Sequence, residues 1–412
     1  MAEQASLSVQ SEIGPLRKVL LHRPGRELET LTPQFLEELL FDDIPWLERI
    51  QEEHDQFADT LRTRGCKVYY YTDLLADILR TDNVREELLN QVLTYSRIPD
   101  EQQRRIIRDY LNGKRAAELA EILIGGLRKE DVPRKDNEKR LSHYIRDGFP
   151  YCINPLPNLY FTRDPGTIIG TGIAINAMKT AARSRESLIL NFIYRRHPLF
   201  AETRQLWYSP EDGDSIEGGD ILVLSPRALA IGCSARTSST GIEKLAARLF
   251  VNNSGIQEIL VLHIPNARAF MHLDTVFTML DFDKFIIYPG IEHSIQVFHL
   301  SPSSKKGVHI QARESLADAL KSVLKLPALN LVPSGGGDYF TAAREQWNDS
   351  ANTLALAPGI VITYKRNFHS NETLRRNGIE VVEIEGSELV RGRGGPRCMS
   401  MPLERESVGG FR

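Results

Sequence analysis

The sequence predicts a mixed α/β protein assembled from repeated strand–strand–helix–strand units and interrupted by one all-helical insertion. Three observations carry that reading. Residues 219–224, a proline turn, 228–232, a helical stretch 241–250 and 258–262 give the order ββαβ. The same order returns at 353–356, Pro358-Gly359, 360–364, a helix near 371–377 and 380–384, and Gly218-Gly219-Asp220 is echoed by Gly336-Gly337-Asp338. Between about 76 and 147, by contrast, nothing reads as a strand and helical periods dominate. Repeated ββαβ units suggest radial or stacked repetition rather than a single doubly wound sheet.

Taken in order, the apolar run Val19–Leu20–Leu21 ending at Pro24-Gly25 predicts a strand and a turn. Leu47, Ile50, Phe57, Ala58 and Leu61 recur at helical steps, Gly65 stops that helix, and 66–71 reads as a buried strand. In the insertion, Val84, Leu88, Leu89, Val92 and Leu93 make one apolar face. Ile106, Ile107, Tyr110 and Leu111 make a second, and Leu119, Ile122 and Leu123 a third. Pro99-Asp100 and Gly125-Gly126 punctuate them. The expected division is an α/β body over 1–75 and 150–412 with a helical insertion over 76–149.

Composition excludes several classes. Of 412 residues, 42% are apolar and 25% charged, and 51 basic side chains face 54 acidic ones for a net charge of −3. Disorder calls for low hydrophobicity with a large net charge, and nucleic-acid binding for a basic excess that neutralises phosphates. No run approaches about eighteen apolar residues, so no membrane-spanning helix is expected, and the N-terminal residues lack a signal-peptide pattern. The expectation is a cytoplasmic protein with no nucleic-acid and no membrane partner. Cys66, Cys152, Cys233 and Cys398 share no CxxC spacing and read as free thiols.

Four segments are unusual for pure packing: 158–165 (NLYFTRDP), 217–220 (EGGD), 272–275 (HLDT) and 391–398 (RGRGGPRC). Cys398 follows a glycine-rich stretch carrying Arg391, Arg393 and Arg397, and nearby cations favour the nucleophilic thiolate. Gly392, Gly394 and Gly395 allow a ligand close to backbone. Such a loop could also cradle a phosphate, but no strand-to-helix P-loop context surrounds it. His272 can move a proton near neutral pH, and Asp274 two positions on would point the same way in an extended segment. Asp164 and Asp220 also read plainly as turn carboxylates. The ten histidines are scattered with no HExxH, which leaves the metal reading weak. One chemistry unites these groups. A planar guanidinium suits paired carboxylates, its poorly electrophilic carbon needs a strong nucleophile such as thiolate, and the departing nitrogen needs an acid.

These segments, with 344–349 (REQWND) and with Met399-Ser400-Met401-Pro402 after the cysteine, resemble the arginine deiminase family. The resemblance runs from Gly14-Pro15-Leu16 to Pro402 and includes the helical insertion; the tail 404–412 matches no pattern. It implies the pentein fold, a five-bladed α/β propeller with a central site. It also implies hydrolysis of the small-molecule substrate L-arginine to L-citrulline and ammonia without metal or organic cofactor, and a homo-oligomer, dimer or tetramer, is expected. Carried over by position, Cys398 corresponds to the nucleophile, His272 to the acid and base, and Glu217 to the carboxylate supporting that histidine. Asp164 and Asp274 correspond to the pair that binds the guanidinium. Asn158, Arg183, Arg236, Arg393 and the Gly392 backbone are expected to meet the substrate carboxylate, with Phe161 lining the pocket. Amidino transfer to an amine, or an inert arginine-binding propeller, are the alternatives.

Overall fold

The structure, a computed structural model, describes residues 7–411 apart from 97, 99, 133–149, 204, 293 and 304–306. The expected insertion therefore lies partly, over 133–149, outside the described residues. Five sheets of three or more strands follow one another among the described residues. Each begins with an antiparallel pair, continues through a helix, and adds a third strand parallel to the second. One sheet comprises Gly166–Ile169, Gly172–Ile175 and Leu206–Tyr208, with helix Ser184–Arg196 between the last two. The next has Ile221–Ser225, Ala228–Cys233, helix Ser239–Val251 and Glu258–His263, extended by the antiparallel strands Gln296–Pro302 and Val308–Arg313. Then come Phe277–Asp281, Lys284–Ile287, helix Leu316–Leu324 and Asn330–Pro333, followed by Leu354–Ala357, Ile360–Tyr364, helix Phe368–Arg376 and Glu380–Ile384.

The remaining sheet joins both ends of the chain. Leu16–Leu21 pairs antiparallel with Met401–Arg405 and parallel with Lys67–Tyr70, helix Leu47–Thr63 lying between. In the other four sheets the hairpin leaves two residues in its loop, as at Ile169↔Gly172 and Ala357↔Ile360. Gly170 and Gly359 sit there at φ of 58° and 72°, a region that side-chain-bearing residues avoid. Strands such as Ile221–Ser225 are buried throughout, because helices cover the face that would otherwise meet water.

Helices Tyr71–Ile78, Asp82–Thr94, Glu101–Asn112 and Ala116–Gly125 follow one another over 71–125. Their apolar faces are as read, with Val84, Leu88, Leu89, Val92, Leu93, Leu119, Ile122 and Leu123 buried; Ile106 and Tyr110 are only half-buried. These side chains share one core cluster with sheet and helix residues such as Ile168, Ile189 and Ile231. Polar ties reinforce that packing: Tyr71 Oη donates to the Glu186 carbonyl at 2.6 Å, and Arg185 Nη1 to the Leu123 carbonyl at 3.0 Å. The helical segment thus braces the start of helix Ser184–Arg196. None of the described helices is long and apolar enough to cross a membrane.

The structure corrects some details. Tyr71 opens a helix instead of ending a strand, and Leu127–Arg128 forms a short strand paired with Tyr151–Ile153, too brief to leave a periodic signal. The glycine echo is not an echo in three dimensions. Gly218–Asp220 is a 3-10 turn leading into a first strand, whereas Gly336 and Gly337 sit at positive φ between a third strand and a helix.

Candidate active site

Each sheet delivers its distinctive residues just ahead of its first strand. Asp164 precedes Gly166–Ile169, Glu217 precedes Ile221–Ser225, His272 and Asp274 precede Phe277–Asp281, and Cys398 precedes Met401–Arg405. Short 3-10 turns at Pro157–Tyr160, Gly218–Asp220 and Leu273–Thr275 set their directions. Consequently His272 and Asp274 are placed by a turn, not by strand alternation as expected. Cys398, His272, Glu217, Asp164 and Asp274 are all nearly or fully buried.

His272 Nε2 lies 2.7 Å from Glu217 Oε2, and Nδ1 lies 3.8 Å from Asp164 Oδ1. The Lys179 N–H donates to Glu217 Oε1 at 3.0 Å, and the Gly219 N–H to Asp164 Oδ1 at 3.1 Å. Burial by itself would lower the His272 pKa. The Asp164 charge, the Glu217 hydrogen bond and the Asp220 charge outweigh it and hold the imidazole up at about 9. Glu217 and Asp164 are lowered despite burial, Glu217 by its bond to His272 and Asp164 by the charges of His272 and Arg183. The group is an imidazolium between two carboxylates.

On the other side, Cys398 Sγ is 3.5 Å from Asp274 Oδ2, which also accepts from Arg397 Nη1 at 2.9 Å. Asp274 Oδ1 is buried with no hydrogen-bond partner among the described residues, an acceptor left for a donor from elsewhere. The expected activation of the sulfur by neighbouring arginines is overturned. Burial and the charges of Asp274, Asp164 and Asp349 raise the Cys398 pKa well above the ordinary thiol value, and only Arg397 opposes them. Arg391 turns to Asp43 and Glu388, and the Arg393 guanidinium lies 3.4 Å over the Trp347 ring. Adjacency in sequence said nothing about where those long side chains would go.

Arg183 Nη1 donates to Asp164 Oδ2 at 2.6 Å, while Nε and Nη2 engage Glu186. Arg236 Nη1 is 3.8 Å from Glu217 Oε2. These two cations therefore border the imidazolium cluster, and Arg393 stands apart from it, with its Nη1 3.9 Å from Asp42 Oδ2. Asn158 Nδ2 donates to the Leu39 carbonyl at 2.8 Å. Phe161 is buried against the glycine loop: a Cβ on Gly394 would come within 2.2 Å of its ring, and one on Gly392 within 2.1 Å of Tyr160 Oη.

A sequence model of the arginine deiminase family matches residues 37–405. A protein named arginine deiminase from Latilactobacillus sakei subsp. sakei (strain 23K) is 47% identical over 407 residues, covering 98% of each chain. Another of that name from Bacillus cytotoxicus is 47% identical over 407 residues, 98% of this chain and 99% of its own. The chain belongs to the arginine deiminase family. Among solved structures, a complex of an AgrE mutant with L-arginine superposes with a TM-score of 0.55 at 14% identity, over 96% of this chain and 41% of that one. SxtG, an amidinotransferase from Microseira wollei, gives 0.54 at 13% identity, over 99% of this chain and 100% of its own. At these identities the likeness concerns the mixed α/β fold alone.

One further site residue of this family member carries no sequence signal of its own, and a second was read only as a turn carboxylate. Asn352 is fully buried, and its amide bonds to both the backbone and the sulfur of Cys398. Asp220, read as a turn residue, accepts from the Leu273 N–H at 2.7 Å and from Ser234 Oγ at 2.7 Å, tying the histidine segment to the strand beside it. Burial pushes its pKa up to about 7. Asp164, Glu217 and His272 lie within 4.8 Å of one another, as metal ligands would. Those atoms already have partners: Glu217 Oε2 lies 2.7 Å from His272 Nε2, and Asp164 Oδ2 accepts from Arg183 Nη1 at 2.6 Å.

Proposed function

We propose that this chain hydrolyses L-arginine to L-citrulline and ammonia by covalent catalysis, within five ββαβ units closed as a propeller around the site. One observation carries the mechanism. A buried sulfur lies 3.5 Å from Asp274 Oδ2, and the other oxygen of that carboxylate is buried and unpartnered. Asp274 would take one edge of the guanidinium and Asp164 the other. The cation offsets the carboxylates that hold Cys398 as a thiol, so its arrival favours loss of the thiol proton to solvent. Activation by the substrate replaces activation by the loop arginines.

The thiolate of Cys398 then adds to the guanidinium carbon, forming a C–S bond. His272, kept as imidazolium by Glu217 and Asp164, gives its proton to the leaving nitrogen, and the C–N bond breaks to release ammonia. The S-alkylthiouronium remains on Cys398. Water loses one proton to His272 as it adds to the same carbon; collapse then breaks the C–S bond, and the hydroxyl's remaining proton passes to the departing sulfur, leaving citrulline and the Cys398 thiol. Arg183, Arg236, Arg393, Asn158 and the Gly392 backbone are assigned to the substrate carboxylate, with Phe161 as the pocket wall. Arginine should therefore be preferred to agmatine, which lacks that group.

The test is citrulline release from arginine, with agmatine in parallel, for the native chain and Cys398→Ser. Citrulline from the native chain alone, with labelled arginine trapped on the Cys398 peptide after acid quenching, supports the scheme. Native-level turnover by Cys398→Ser would remove the covalent route.

A further inference from the structure

Four of the five sheets deliver a residue already assigned in the reaction from the segment preceding their first strand. The fifth, which begins at Leu354, delivers Asn352. The turn ahead of it is tight: Asp349 adopts φ of 58°, and the Asn352 N–H donates to the Asp349 carbonyl at 3.0 Å. Asn352 is fully buried, and Gly395 makes room for it, since a Cβ there would lie 2.7 Å from the Asn352 Cβ.

The amide is oriented by its partners. The Cys398 N–H donates to Oδ1 at 3.0 Å, which only an oxygen can accept. Nδ2 must then face the Asp274 carbonyl at 3.2 Å, and it also donates to Cys398 Sγ at 3.0 Å. One side chain thus grips the cysteine at its backbone and its sulfur. The surrounding carboxylates disfavour a thiolate, and this N–H is a donor aimed at the sulfur. A hydrogen bond to an ionised acceptor is stronger than one to the neutral form, so it favours ionisation.

We infer that Asn352 is a further catalytic residue, whose amide fixes Cys398 Sγ in line for attack and donates a hydrogen bond to its thiolate. The inference rests on the reading of Cys398 as nucleophile. Asn352→Asp separates the two bonds, because aspartate retains an acceptor for the Cys398 N–H while losing the donor to sulfur. Asn352→Ala removes both.

The experiment follows alkylation of Cys398 by iodoacetamide against pH, resolved by peptide mass spectrometry, beside kcat and KM for arginine. The alkylation midpoint is expected to rise by about one pH unit in Asn352→Ala and further in Asn352→Asp. In both, kcat should fall about tenfold or more, with a smaller change in KM. A native midpoint and native kcat in folded Asn352→Asp would overturn the inference, leaving the residue a backbone anchor only. Should Asn352→Ala fail to fold, Asn352→Asp decides alone. Cys398→Ser keeps the two failures apart: if it is inactive while the Asn352 variants behave as native, only this inference falls, whereas if it turns over normally, the nucleophile reading falls as well.

Discussion

Replacing Glu217 by glutamine tests how the imidazolium is maintained. Glu217 Oε1 accepts from the Lys179 N–H, so a glutamine oxygen stays there and its NH2 turns toward His272 Nε2. That nitrogen must then accept, which leaves a neutral imidazole with its proton on Nδ1. The native His272 pKa is about 9 against an ordinary 6.5; at about 1.4 kcal/mol per pH unit this spans about 3 kcal/mol, of which Asp164 and Asp220 retain part in the variant. The sign follows from the raised value. The imidazolium contributes stability fully below 6.5 and loses it as pH rises through about 9. Glu217 itself is lowered, so its contribution is present above 4.5 and lost as pH falls further. Native and Glu217→Gln proteins should therefore differ most in Tm between those limits and converge above about 9. Neutral imidazole is a far weaker acid than imidazolium, so kcat at pH 7 should fall by about 10²–10⁴, and the NMR titration of His272 should move down. A kcat within about twofold of native, with the His272 titration unmoved, would refute the assignment of Glu217 as its support.

Two other perturbations probe the surroundings of the sulfur. Arg397→Met leaves Glu12 and Asp274 as buried carboxylates without the guanidinium that bonds both at 2.9–3.1 Å. It should cost about 3–5 kcal/mol in urea unfolding, with acid unfolding starting at a higher pH as Glu12, now held at about 2, returns toward 4.5; a loss under about 1 kcal/mol would contradict the network's role. Gly394→Ala places a methyl against the Phe161 ring, so KM for arginine should rise about tenfold while circular dichroism stays native. An unchanged KM would detach that loop from substrate binding.

Much of this was legible because it depends on local pattern. The second ββαβ unit announces itself through apolar runs separated by Pro358-Gly359, and the EGGD and HLDT segments stand out for charge where packing needs none. What was not legible depends on contacts across the chain. Asn352 lies in an ordinary polar turn and meets Cys398 46 positions away, and Arg397 meets Glu12 at a separation of 385. The joining of both chain ends in one sheet leaves no local trace either. The sign of the thiol's environment failed for a related reason. Arginine side chains are long enough to leave their neighbourhood, and Arg391 and Arg393 do so, toward Asp43 and Trp347.

The buried charges follow a consistent logic. Glu12 is bonded to Arg397, Asp164 and Glu186 to Arg183, and Glu217 to His272. Carboxylates are costly in the interior unless each meets a cation of good geometry, and these do. Asp274 is only half served: Arg397 and the thiol both crowd its Oδ2 and leave Oδ1 buried without a bond, as Asp349 Oδ2 also is. Filling that acceptor from inside the chain would give a more stable protein and a blocked site. The neighbouring Asn352 amide leaves it free, donating to the main-chain carbonyl of the same aspartate at 3.2 Å and to the sulfur at 3.0 Å. The arrangement keeps one acidic oxygen and one sulfur side by side, which is what a flat cation under attack at its central carbon requires.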